Sequence, residues 1–513
     1  MIFNKKYREL TINLISILFI VLFVYAAISK LLDFETFQIQ LAQSPFLGTY
    51  AGVLSVLVPA VEILLSVLII FPRYRIAALI GCFTLMIMFT VYIFIILNFS
   101  DYIPCSCGGV LEKLSWTQHL VFNIVFIVLA ALAIFLTSQV SKSSVKRSSL
   151  KTVSLGLFII AAFSTLLVTV MFIGSESKLY INEAFQRKYL PRAAEYLGDY
   201  DLGSKSYYLA GFKDSIIYIG NLQAPLYLKT IDVSLKHIQD FQVTISNLEL
   251  PYRRARILVE PPFFFVGDGT VPVLFRGKTN DWQATVFSYD DAYFKQFEIA
   301  DSTHIGLTGI SAITSTTNLG LITKASAQDT VIFNDQIITK QVDGIFDSDG
   351  SLLWNYAHKK FIYTYFYRNS YEVTDENLNH LSTGNTIDTV STAILNIFHH
   401  SKKNQYKKGQ AVIVNRHTAT YGDYLFINSD RLGRFEDKTT ANAAAIIDVY
   451  NILENTYKFS FYIGHQPDKK LDGFRINKDL LIALVNGRLW IFKLKPEYFN
   501  PGLNTTHTGQ YQE

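Results

Sequence analysis

Cysteine is scarce in this chain: Cys82, Cys105 and Cys107 are its only three, and none follows residue 107. A disulfide-knit scaffold is thereby excluded, and everything after that point must fold on packing and hydrogen bonding alone. Charge is thin as well, at 17% of residues with a formal net of +4. No basic patch interleaves with aromatic residues, so nucleic acid is not an expected partner. The C-terminal part holds no glycine-rich phosphate loop, nucleophilic triad or specific metal-ligand spacing.

Apolar residues make up half the chain, but the long apolar runs crowd into its first third. A bilayer span needs about 20 such residues. Five stretches qualify: Ile12–Ser29, Tyr50–Phe71, Ile76–Leu97, Thr117–Thr137 and Val153–Ile173. The first follows Lys5, Lys6 and Arg8, as a signal peptide would. Its length, and the lack of a small-residue cleavage site after it, make it a retained span.

Basic residues mark alternate loops. Lys5, Lys6 and Arg8 precede the first span, Arg73 and Arg75 separate the second from the third, and Lys142, Lys146, Arg147 and Lys151 separate the fourth from the fifth. The other loops carry Asp33 and Glu35, then Asp101, Glu112 and Lys113. By the positive-inside rule the N-terminus is cytoplasmic. The loop holding Cys105 and Cys107 and everything after Gly174 then lie outside, which fits a bacterial cytoplasmic membrane with a periplasmic C-terminal domain.

Beyond the spans the texture changes to short β-rich runs with Gly, Asn and Asp turns. Tyr218-Ile219-Gly220-Asn221 leads to Pro225-Leu226-Tyr227-Leu228, and Phe265-Val266-Gly267-Asp268 leads to Pro272-Val273-Leu274-Phe275, with the two glycines 47 residues apart. Hairpin signals recur near Leu321-Ile322, Tyr363–Tyr367, Leu425–Asn428 and Leu481–Val485. About six units at roughly 45–60 residues each is the spacing of propeller blades. The expected fold is therefore an α-helical membrane bundle followed by an all-β propeller. Six blades are expected, with seven or eight as alternatives. Asp347-Ser348-Asp349-Gly350 lacks the later glutamate of a calcium loop and is expected to be a tight hairpin turn. The aromatic run Phe361–Asn369 reads as a blade strand, and His399-His400 with Lys402 and Lys403 as a solvated loop.

Chemistry concentrates in Pro104-Cys105-Ser106-Cys107-Gly108-Gly109, followed by Ser115-Trp116-Thr117-Gln118-His119. Ser115 and Gln118 have the spacing of a capping box, which starts the fourth span there. His119 and Asn123 then stack on one helix face. A bond between cysteines two apart closes a small, strained ring that adds little stability and is readily reduced. Redox exchange, a structural clasp, and a soft metal site of Cys105, Cys107 and His119 all remain open. Glu62, within the second span, is a functional candidate by its depth. Lys30 can reach it, either as an interhelical clasp or for proton handling. Cys82 reads as a small core residue.

Residues 10–137 resemble the DoxX-like group, and more specifically the methylamine utilisation protein MauE family. The resemblance rests on Ser29-Lys30-Leu31-Leu32-Asp33-Phe34, on Pro59 and Glu62, and on the cysteine loop before Ser115-Trp116. It implies a four-helix membrane domain over residues 1–140 with Cys105 and Cys107 as a redox pair and a thioredoxin-like or other exported redox partner. A basic loop and fifth helix (141–175) and an exported propeller (176–513) lie outside the resemblance, and nothing in it transfers methylamine as a substrate. The expected function is a thiol–disulfide relay or disulfide-maturation factor, with Cys105, Cys107, His119 and Glu62 as the working residues and the propeller recruiting a client. The rival is a non-enzymatic membrane-anchored propeller that binds a protein or peptidic partner. No residue pattern identifies a cofactor; a quinone between the spans stays open beside the soft metal.

Overall fold

A computed structural model describes the chain over residues 5–44, 47–99, 115–140, 150–324, 329–401, 405–467 and 469–499. The chain divides into two compact units, one of Met1–Leu179 with Leu395–Ala411, the other of Tyr180–Ile394 with Val412–Glu513.

The first unit is built on α1 (Lys5–Leu32), α2 (Phe34–Gln43), α3 (Ala51–Ile70), α4 (Arg75–Phe99), α5 (Trp116–Val140) and α6 (Leu150–Tyr180). All but α2 are long and apolar enough to cross a membrane, so the protein is a multi-pass membrane protein. These helices are apolar all round, as lipid-embedded helices must be. Leu14, Val21, Val56, Leu64, Val128 and Phe158 point outward, as a hydrocarbon solvent allows. Inside, Phe19, Phe23, Leu79 and Phe83 pack around Ala78, Cys82, Ala130 and Ala133, whose small size lets the backbones approach closely. Hydroxyls within the spans donate back along their own helix, Ser66 to the Glu62 carbonyl at 2.8 Å and Thr90 to that of Met86 at 2.7 Å.

The short α2 carries Phe37, Ile39 and Leu41 on its buried side. Against it, within the same unit, packs a hairpin of Leu395–His400 and Gln405–Ala411. Phe398 of the hairpin joins Phe37, Leu41, Ala42 and Ala51 in one cluster. The approach is close: a Cβ on Gly48 would sit 2.6 Å from the Ala42 carbonyl oxygen and from the Gln410 side chain. The expectation of a solvated loop at His399-His400 is corrected here. His400 ends a strand at 3% exposure, its Nε2 3.1 Å from Thr36 Oγ1, because α2 covers it.

The second unit is a six-bladed propeller whose sheets are antiparallel, except that the short strand Thr244–Ile245 pairs in parallel with Gln283–Tyr289. The first five sheets occupy 207–242, 244–289, 296–334, 350–385 and 417–464; the sixth joins 471–494 to Ala194–Asp201. One strand from each sheet, Arg256–Glu260 in the second and the first strand in the others, neighbours its counterparts in a closed ring that returns from Leu471–Asn477 to Tyr207–Lys213. The N-terminal strand Ala194–Asp201 pairs with Arg488–Leu494, so the two ends of the unit share one blade.

Second strands such as Phe263–Asp268, Lys360–Tyr365 and Leu480–Val485 are buried on both faces, which is why they read as nearly continuous apolar runs. The repeat seen in the sequence has a physical basis. A Cβ on Gly220 would fall 2.3 Å from the Tyr208 ring, and one on Gly267 would fall 2.6 Å from the Phe297 ring. Asn221 and Asp268 then accept backbone N–H groups two and three residues on, closing the turn before each proline. Within this unit, the buried Arg187 is fixed by both oxygens of Asp448, by Glu436 and by the Arg431 carbonyl.

Phe361, Tyr363 and Tyr365 are fully buried in the fourth blade, as a strand reading requires. Asp347 differs from its expectation as a hairpin turn. It lies in the loop before the fourth blade, where its buried carboxylate accepts N–H groups from Gln341, Val342, Asp343 and Gly344. Burial pulls its carboxyl upward, but the hydrogen bond shared with the Asp343 side chain, joined by these N–H groups, holds it below the usual range.

Candidate functional site in the membrane bundle

Along α3 the buried positions include Ser55, Pro59, Glu62, Ser66 and Ile69, a helical stripe facing the bundle. Glu62 therefore points inward by register, at 1% exposure, in a segment otherwise apolar at its neighbours. Its Oε1 accepts a hydrogen bond from Lys30 Nζ at 2.5 Å. Lys30 comes from the last turn of α1, and its ammonium also lies 5.8 Å from the ring centre of Phe37 and 5.9 Å from that of Phe89. A carboxylate buried in hydrocarbon is tolerable only with such a partner.

The capping box at the head of α5 is present in full. The Ser115 N–H donates to Gln118 Oε1 at 2.8 Å, and the Gln118 N–H donates to Ser115 Oγ at 3.3 Å. This fixes the first turn and sends His119 and Asn123, one turn apart, toward Lys30 and Glu62. From α4, Tyr92 shares a hydrogen bond of 3.0 Å with Ser44.

These side chains border one cavity of about 210 Å³ inside the bundle. Its walls include Phe23, Phe37, Leu54, Met86, Phe89 and Phe122, while Lys30, Glu62, His119 and Asn123 supply the polar edge. Three buried polar atoms on that edge, Glu62 Oε2, His119 Nδ1 and Asn123 Nδ2, have no hydrogen-bond partner among the described residues. Leaving such atoms unsatisfied costs about 1–3 kcal/mol each. The cluster is thus chemically poised: a paired charge, an imidazole, an amide donor and a free carboxylate oxygen around one apolar space.

Of the four residues singled out from sequence, Glu62 and His119 border this same cavity. Cys105 and Cys107 fall in 100–114, outside the described residues. That segment follows α4 and precedes α5, whose first turn contributes Trp116 and His119 to the cavity. Asn123 was legible as a stacked neighbour of His119 but not as a site residue. Its polarity among the apolar residues of α5 is the signal that marks it.

Residues 8–136 match the family model of methylamine utilisation protein MauE. No curated protein matches the chain. Solved structures similar to its propeller include a member of the DUF4221 family from Bacteroides vulgatus, at 13% identity and a TM-score of 0.38 over 62% of this chain and 98% of that one. A streptogramin B lyase is similar at 12% identity and a TM-score of 0.35, over 61% of this chain and 100% of that one. The Cps50 (Swd1) propeller of Myceliophteria thermophila is similar at 7% identity and a TM-score of 0.33, over 58% and 100%.

Proposed function

We propose, from the premise of a MauE membrane domain at residues 8–136 with a six-bladed propeller behind it, that the protein is a thiol–disulfide relay of the bacterial cytoplasmic membrane. Cys105 and Cys107 are the exchanging pair, on the periplasmic side, and an exported redox protein of the thioredoxin-like kind is the partner. The propeller recruits that partner or its client. The observation that carries the reading is the cavity cluster of Lys30, Glu62, His119 and Asn123, bordered by Trp116 and His119 in the first turn of α5, which follows the cysteine segment in the chain.

The chemistry balances within the protein and its partner. A thiolate of the partner attacks the Cys105–Cys107 disulfide and forms a mixed disulfide, releasing one thiolate of the pair. The partner's second cysteine then attacks its neighbour's sulfur, closing the partner's own disulfide and releasing Cys105 and Cys107 as a dithiol. Two electrons pass to this chain, and the two protons lost from the partner's thiols end on Cys105 and Cys107. His119 and the free oxygen of Glu62 are the groups available to accept and return those protons on this chain.

The test is alkylation of the pair in membranes equilibrated with defined thiol buffers, using a membrane-impermeant maleimide. The expected result is labelling from the periplasmic side and a reversible disulfide with a potential well above about −300 mV. Full activity of Cys105→Ser/Cys107→Ser protein in its native setting, or a pair that never forms a bond, overturns the relay.

A further inference from the structure

We infer that the cavity between α1, α3, α4 and α5 is a binding site for the ring of a lipid-soluble quinone. The inference rests on the relay reading only for where the electrons go; the site itself is argued from the cavity.

The charge balance comes first. The Lys30 ammonium and the Glu62 carboxylate already neutralise each other at 2.5 Å. A further net charge in this low-dielectric space would have no counter-ion, so the occupant is neutral. An anion is disfavoured by Glu62, and a metal cation by the ammonium beside it.

Size and wall chemistry come next. A cavity of 150 Å³ with apolar walls is enough to hold benzene. This one, at about 210 Å³, has room for a substituted ring, and Phe23, Phe37, Phe89 and Phe122 offer aromatic surfaces to it. A simple acyl chain would fill such a space but leave the polar edge unsatisfied. Water would satisfy the edge and leave the apolar walls without contacts.

The edge narrows the class further. Among the described residues, Asn123 Nδ2 is a buried donor without an acceptor, and Glu62 Oε2 a buried acceptor without a donor. A quinone carbonyl accepts from the first, and a quinol hydroxyl donates to the second. His119 Nδ1 serves either form, according to its tautomer. One occupant that alternates between carbonyl and hydroxyl thus answers all three orphaned atoms. Such a carrier takes two electrons and two protons. In the coupled step the two thiols of Cys105 and Cys107 are oxidised to a disulfide, and the S–S bond forms as two electrons and two protons leave. The quinone accepts both electrons and both protons and departs as quinol.

Full-length protein in quinone-free nanodiscs is titrated with decylubiquinone, following tryptophan fluorescence, since Trp116 borders the cavity. Saturable quenching is expected, and Trp116→Phe should remove most of it. Asn123→Leu, which keeps side-chain volume but deletes the donor, should weaken binding about tenfold, the size of one hydrogen bond of roughly 1.4 kcal/mol. His119→Phe gives an independent second variant, expected to weaken binding in the same direction. Circular dichroism checks that both remain folded. Cys105→Ser/Cys107→Ser protein should bind the quinone unchanged. Absence of saturable quenching, or affinity untouched in both folded variants, overturns the site. Saturable binding in wild-type protein whose reduced cysteine pair the quinone fails to oxidise upholds the site and overturns the relay.

Discussion

Glu62 and Lys30 illustrate how a charge is kept inside a membrane bundle. Each alone would be an isolated ion in hydrocarbon, and together they form a pair with 1% and 12% side-chain exposure. Removing one partner from a buried pair typically costs about 3–5 kcal/mol, because the other is left unpaired, whereas replacing both with apolar groups of similar volume is often neutral. Lys30→Met and Glu62→Leu are each expected to lower the thermal stability of the detergent-solubilised protein sharply, and the double variant to recover most of it. Additive losses in that double-mutant cycle would mean the two side chains act independently. The pairing was partly legible in the sequence, since an acidic residue in the second span and a lysine at the end of the first invite it. What the sequence withheld was the company they keep. That His119, Asn123 and four phenylalanine rings close on the same space depends on helix rotation and tilt, which no spacing within a single helix specifies.

At the scale of elements, the hairpin Leu395–Ala411 repays comparison with α2. Glu35, in the first turn of α2, accepts from the Ser401 hydroxyl at 2.6 Å and from the Ser401 N–H at 2.8 Å. His400 Nδ1 lies 3.3 Å from the same carboxylate. The Ser401 hydroxyl bond is the main cause that holds the Glu35 carboxyl below its ordinary value, with smaller help from His400 and His399. A carboxyl depressed on folding contributes stability above its unfolded value, and that contribution is lost as pH falls through its folded one. Hydrogen exchange in the hairpin is therefore expected to quicken as pH falls below the ordinary carboxylate range, after correction for intrinsic rates. Glu35→Gln should bring the faster exchange already at neutral pH and remove its acid dependence. An unchanged acid dependence in Glu35→Gln would assign it to another group. The sequence could not signal this docking. Leu395–His400 alternates like any blade strand, the adjacent lysines suggest solvent, and the surface that buries His400 belongs to a helix more than 350 residues earlier.

For the whole molecule, the division into apolar helices and a propeller was legible because both patterns are set by local burial. Helices that face lipid must be apolar on every side, and blade strands covered on both faces must be nearly so. The count of six could be approached from the rhythm of second strands, although Leu321-Ile322 lies in the third strand of its blade. The closure was not legible, since Ala194–Asp201 has an ordinary edge-strand pattern and finds its partner almost 300 residues away. Closure should nonetheless govern stability. Arg488–Leu494 contributes Leu489, Ile491, Phe492 and Leu494, all at most 3% exposed, to two different core clusters. Each is worth about 1.5–3 kcal/mol of burial, and a folded domain has only about 5–15 kcal/mol in reserve. Ending the full-length chain after Gly487 removes those four side chains and leaves Ala194–Asp201 with no sheet to join. In an open repeat array such a loss frays the terminal repeat and leaves the others folded. In a ring closed by its two ends, the first and last blades lose their shared support together. Limited proteolysis of the truncated protein is expected to degrade all six blades at similar rates, while the membrane helices remain protected in detergent. Survival of a resistant fragment spanning the second to fourth blades would show that the ring is stabilised blade by blade instead.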